Sequence, residues 1–223
     1  MYIRYLIIVL MLSASALRAG EVLDRMIATV NGRAILQSDW DDELRYECFM
    51  SGHPMRDLTA EDRRAAFERL IDQELLREQM GSTDFKPTGS EEVSTQVGEL
   101  KKQYALDHSG ESWDEALAKY KVTEPEIAVH VELELNALRL VDARLRPSIQ
   151  IDAAAVEEYY KKELLPKLPT GQQIPLQQAT PKIRELLFQQ KMNELLSSWL
   201  ASLRAQGQIR ILALEPAGPQ VSQ

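Results

Sequence analysis

Arg25-Met26-Ile27-Ala28-Thr29-Val30-Asn31-Gly32-Arg33-Ala34-Ile35-Leu36 sets two apolar, β-branched runs on either side of an Asn-Gly pair. Both turn residues of a tight hairpin need positive φ, which Asn and Gly adopt at least cost. The stretch is therefore expected to be a β-hairpin. Near the other end, Gln208-Ile209-Arg210-Ile211-Leu212 alternates like a strand. A lone strand leaves its backbone groups unpaired. The simplest partner is the hairpin, which would join the two ends of the chain in one small sheet.

Everything between reads as helix. Ser38-Asp39-Trp40-Asp41 resembles a capping box and is expected to start a helix that runs to about Phe49, broken by Ser51-Gly52-His53-Pro54. Thr59-Ala60-Glu61-Asp62 starts the next, with Phe67, Leu70, Ile71, Leu75 and Leu76 on one stripe and Gly81 as its C′ residue. A helix from about Ser90 carries Val93, Val97, Leu100 and Tyr104 on one face. Ser112-Trp113-Asp114-Glu115 caps a short helix, and Thr123-Glu124-Pro125-Glu126 caps a long one bearing Ile127, Val131, Leu135, Leu138 and Val141. Asp152 caps a helix expected to end at Pro166. Pro166, Pro169, Gly171 and Pro175 mark an irregular linker. Thr180-Pro181 is expected to open the last helix, whose apolar side is Ile183, Leu186, Leu187, Leu195, Trp199, Leu200 and Leu203, with Gly207 ending it.

Residues 1–19 have the layout of a secretory signal peptide: Arg4, a short apolar run from Leu6 to Leu12, then small residues. That run is shorter than the roughly 20 residues a bilayer-spanning helix needs. Its removal takes away Arg4 and Arg18, leaving 24 Lys and Arg against 34 Asp and Glu, a net charge of −10. Such a charge argues against nucleic acid and anionic membrane surfaces as partners. The single Cys48 excludes an internal disulfide and is read as a small buried apolar residue.

The order of these features resembles the SurA family of periplasmic chaperones. The segment from Leu23 to Asp39, with its Val30-Asn31-Gly32 turn and Ser38-Asp39, resembles the family's entry motif. Phe67-Glu68-Arg69-Leu70-Ile71-Asp72-Gln73-Glu74-Leu75-Leu76 resembles its next signature helix. Thr123-Glu124-Pro125-Glu126 fits in order and spacing, and residues 182–212 resemble the closing helix and strand. The resemblance implies a mainly α fold, a SurA-type chaperone core of the trigger factor/SurA peptide-binding kind, with a small sheet joining the N-terminal hairpin to the C-terminal strand. It divides the chain into signal peptide (1–19), N-terminal helical region (20–165), linker (166–179), closing helix and strand (180–214) and tail (215–223). The family usually carries a parvulin-type prolyl isomerase domain where this chain has only about twenty residues, and a small domain of that kind needs roughly 90.

The implied function is a periplasmic, ATP-independent holdase for unfolded outer-membrane or other envelope proteins. The alternatives are a prolyl isomerase and a single-partner assembly subunit. The partners expected are extended client polypeptides, without nucleic acid and without stable membrane insertion once the signal is cleaved. The residues themselves suggest no cofactor, metal or catalytic set. There is no Gly-rich phosphate loop and no Gly-x-Ser-x-Gly. His53, His108 and His130 are scattered and, with one Cys, cannot supply about four zinc ligands. His130 reads as solvent-facing or half-buried. The acids read as solvated groups at helix starts and on polar faces. Phe49, Met50, Met55 and Leu58, around the first inter-helix loop, read either as core or as an adaptable binding surface. Peptide-binding residues are not legible at this level.

Overall fold

The computed structural model describes residues 24–81, 84–108, 110–168 and 174–212. The expected signal peptide (1–19) and tail (215–223) lie outside them, as does part of the expected linker, residues 169–173. The described chain is mainly helical with one small antiparallel sheet. Strands β1 (Met26–Val30) and β2 (Arg33–Leu36) form the hairpin, with Asn31 at φ 50° and Gly32 at φ 86°. The registers are Val30 opposite Arg33 and Thr29 opposite Ala34, with an irregularity between Met26 and Ala28. Strand β3 (Ile209–Ile211) adds antiparallel to the other edge of β1, with Val30 opposite Ile209. The sheet order is β2-β1-β3. Asn31 fastens this closure twice. Its backbone N–H donates to the Gln208 carbonyl at 3.0 Å, and its side-chain oxygen accepts from Gln208 N–H at 2.7 Å.

Among the described residues, seven α-helices follow the hairpin and precede β3: α1 (Gln37–Ser51), α2 (Ala60–Met80), α3 (Ser90–Asp107), α4 (Trp113–Tyr120), α5 (Glu124–Leu145), α6 (Ala153–Tyr159) and α7 (Leu176–Gln206). Three starts follow the capping logic. Thr59, Ser112 and Thr123 each accept from the N–H three residues on, while Asp62, Glu115 and Glu126 bond back. Each such cap contributes about 1 kcal/mol. Asp152 caps α6 in the same way, accepting from Ala155 N–H at 2.7 Å.

Four boundaries differ from the sequence expectation. Ser38 does not cap α1: the helix starts at Gln37, and Asp39 accepts from the Leu36 N–H at 2.8 Å, while Ser38 turns to Asp24. Gly81 follows α2 but in the right-handed region, whereas Gly52 (φ 70°) and Lys121 (φ 55°) take the left-handed caps of α1 and α4. After Tyr159 the chain widens into a π turn (Tyr160–Leu164) and a 3-10 turn (Leu165–Lys167), so helical backbone passes through Pro166. Finally, α7 begins at Leu176, a full turn before Thr180-Pro181, and holds Pro181 inside. Proline there forfeits one backbone hydrogen bond. Packing decides it: Leu176, Ala179 and Ile183 bury against Val156, Tyr159 and Tyr160, and the Thr180 hydroxyl donates to the Leu176 carbonyl at 2.8 Å.

Three apolar clusters result. The first joins α1, α3, α4 and α5 around Phe49, which is fully buried, stacks on Tyr104 at 5.2 Å and meets Trp113 edge-on at 5.1 Å. The second packs the sheet against α1 and α2 through Ile27, Val30, Trp40, Leu44, Phe67 and Ile71, with Leu203 and Ile209 from the chain's end at its margin. Met55 and Leu58 touch both clusters. The third is small: Val156, Ala179 and Ile183.

On α5 the seam is carried by Ile127, Val131, Leu140 and Val141 with the buried Asn136, whose oxygen accepts from Thr88 N–H at 2.7 Å. Leu138, expected on that seam, is exposed. Helix α7 buries only Ala179 and Ile183; the rest of its expected apolar side is half-buried, and Leu186 is exposed.

Candidate functional site

Helices α1, α2 and α5 each bring a polar pair spaced four residues apart to one place: Glu43 with Glu47, Arg69 with Gln73, His130 with Glu134. That spacing puts both members of a pair on one helix face. Glu43 is only 4% exposed. Its two carboxylate oxygens accept from Gln73 Nε2, both at 3.3 Å. Arg69 Nε lies 4.0 Å away, but that guanidinium is bonded to Glu47. His130 Nδ1 is 3.7 Å from Glu43, beyond hydrogen-bond reach. The imidazole lies flat on the Tyr46 ring, centroids 4.0 Å apart and planes 3° off parallel. The Tyr46 hydroxyl in turn donates to Glu134 at 2.9 Å.

Burial dominates the electrostatics. It lifts the Glu43 carboxyl to about 7, against the weaker opposing effect of the Gln73 hydrogen bond. It also holds the His130 imidazole below its ordinary value. Glu43 and His130 therefore sit side by side as weakly charged neighbours rather than as a strong ion pair. Burial together with the adjacent Glu134 carboxylate pushes the Tyr46 hydroxyl up, so it stays protonated.

This cluster forms the floor of an open groove. Three adjoining hollows, of about 230, 370 and 90 Å³, all share His130. Their apolar wall comes from Val129 and Leu133 on α5, Leu70 and Leu76 on α2, and Val122 and Pro125 at the start of α5. Val129 is 56% exposed at the groove's edge. Among the described residues, the polar lining of the hollows is carboxylate, guanidinium, amide, imidazole and phenol, without Ser, Thr, Cys or Lys. The arrangement suits binding of an extended apolar segment with polar groups to fix its register.

The other residues singled out in the sequence lie elsewhere. Cys48 is buried in the first cluster, where burial raises its thiol pKa. Phe49 is core, Met55 and Leu58 pack partly beneath the loop, and Met50 is exposed. His53 is exposed, and His108 stacks on Tyr104 at 4.1 Å. Glu43 departs from the reading of the acids as solvated. It falls within the apolar stripe Trp40, Leu44 and Cys48 of α1, and an acid inside such a stripe is the signal that could have found it. Among the described residues, no cluster of three or more His, Cys, Asp or Glu side chains could hold a metal ion, and no helix is long and apolar enough to cross a membrane. No known protein-family model matches the chain, and no curated protein matches it.

Proposed function

We propose that this chain is a SurA-like periplasmic holdase that binds unfolded outer-membrane or other envelope proteins without ATP. The observation that carries the reading is the open groove between α1, α2 and α5, with an apolar wall exposed at Val129 and a hydrogen-bonding floor. The return of β3 to the N-terminal hairpin supports it, because the resemblance in sequence includes a closing helix and strand that come back to the entry motif. A holdase needs an adaptable apolar surface, a soluble acidic exterior and weak multi-site binding. Its affinity should tolerate salt, since apolar burial drives it.

The test is light scattering of an unfolded β-barrel protein diluted from denaturant, with the mature chain present and no nucleotide. The expected result is suppressed scattering at a few-fold molar excess, little changed by added salt. Unchanged scattering at that excess would remove the holdase reading, and a single stoichiometric partner recovered from envelope extract would replace it with an assembly role.

A further inference from the structure

The groove is not neutral. Its lining brings together six acids, Asp39, Asp42, Glu43, Glu74, Glu126 and Glu134, against three arginines. Those arginines are already engaged: Arg33 and Arg77 with Glu74, and Arg45 with Asp42. Within the groove Glu43 is the buried acid. Among the described residues, the cationic side chains within 4 Å of it are Arg69, which is shared with Glu47, and His130, whose imidazole burial keeps mostly neutral. Its bonds to Gln73 are long for a carboxylate acceptor, leaving acceptor capacity unused. A buried carboxylate without a close cation lowers stability, and retaining one in the wall of a groove fits a binding task better than a structural one.

We infer that the groove selects client segments in which a lysine or arginine stands among apolar residues, the cationic head seated on Glu43 and the apolar neighbours against Val129, Leu133 and Leu70. This rests on the reading of the groove as a site for unfolded segments and names the chemistry it prefers. An arriving cation supplies the partner that Glu43 lacks, in a site where burial strengthens the interaction. Preference for such segments should follow the ionisation of Glu43, which burial places near neutrality. The groups facing it are Glu47 on its own helix, Arg69 and Gln73 on α2, and His130 on α5. Arg69 stays charged throughout, burial lowers the His130 imidazole, and burial raises the Glu74 carboxyl in the same groove, so Glu43→Gln is the variant that assigns the pH dependence to Glu43.

The experiment uses the mature full chain and three fluorescent peptides of one apolar sequence whose central residue is lysine, glutamate or norleucine. Fluorescence anisotropy gives Kd for each at pH 8 and pH 5.5. At pH 8 the lysine peptide should bind about tenfold more tightly than the norleucine peptide, and the glutamate peptide more weakly than either. At pH 5.5 the lysine-to-norleucine ratio should fall toward one, and Glu43→Gln should bring it there at pH 8. Equal binding of all three peptides, or a ratio that does not change with pH in the native protein, would overturn the inference while leaving the holdase reading in place. Should Glu43→Gln not fold, the pH dependence of the native chain still decides the matter. Failure of every peptide to bind, together with unsuppressed barrel aggregation, would remove the holdase reading itself.

Discussion

The sheet with α1–α5 and the hairpin of α6 and α7 are built on opposite plans. The first fills two clusters that share Met55 and Leu58, and nearly every turn of α1 is buried on some side. The second holds a cluster of three buried residues, and α7, 31 residues long, runs half-exposed from there to the sheet. What holds α7 down is largely polar or cation–π. Arg204 bonds Asp72 at 2.6 Å and Glu68 at 2.5 Å, Arg144 lies over Trp199, and Arg146 over Phe188. The comparison teaches that the groove sits on the more deeply packed part of the molecule, while α7 acts as a strut tied by scattered contacts along its length. Packed helices hold Glu43 and His130 in place even though their burial opposes charge.

The largest effect should separate the two plans. Phe49→Ala removes the aromatic centre of the first cluster and should cost about 3–5 kcal/mol in urea unfolding. Ile183→Ala, in the small third cluster, should cost about 2 kcal/mol, the low end for such a truncation, because a small cluster can collapse around the missing atoms. Equal losses would mean that the strut is as well packed as the rest.

A second experiment sharpens the comparison at the groove. The folded carboxyl of Glu43 titrates at about 7, above its ordinary 4.5, so the folded state binds this proton more tightly than the unfolded state. The stability this proton provides is full below about pH 4.5 and is lost as pH rises through 7. The change is on the order of 2–3 kcal/mol. Glu43→Gln should flatten that stretch of the stability–pH curve and be no less stable than the native chain at pH 8. A mutant curve that keeps the native slope would show that another group is responsible.

These residues also mark how far the sequence could be read. Asn31-Gly32, the Thr59, Ser112, Thr123 and Asp152 caps and the pairing of the final strand were legible because they depend on local chemistry or on an unpaired backbone. The start of α7 was not. Thr180-Pro181 has the form of a helix start, and only the contact of Leu176 and Ala179 with α6 makes the extra turn worthwhile. The groove was less legible still. Its residues come from three helices far apart in sequence, and burial of Glu43 depends on neighbours that no local pattern specifies.

A smaller effect tests the strut directly. Arg204→Ala removes charge-assisted bonds to Asp72 and Glu68, whose presence holds the guanidinium pKa above its ordinary value. The site is about one-third exposed, so the loss should be roughly 1–2 kcal/mol after screening. Hydrogen exchange should rise in the C-terminal half of α7 and in β3, with α3 and α4 unaffected. A uniform rise along the chain would contradict a strut held by local ties.

The central claim is that unfolded segments lie in the groove between α1, α2 and α5. A photo-activated cross-linker placed at Val129, at the groove wall, is the most direct measurement, with Lys102 on the exposed side of α3 as the control position. An unfolded β-barrel protein should be captured strongly from position 129 and weakly from position 102, and an excess of the apolar lysine peptide should compete the first capture away. Equal capture from both positions, or capture at 129 that the peptide does not reduce, would contradict the account.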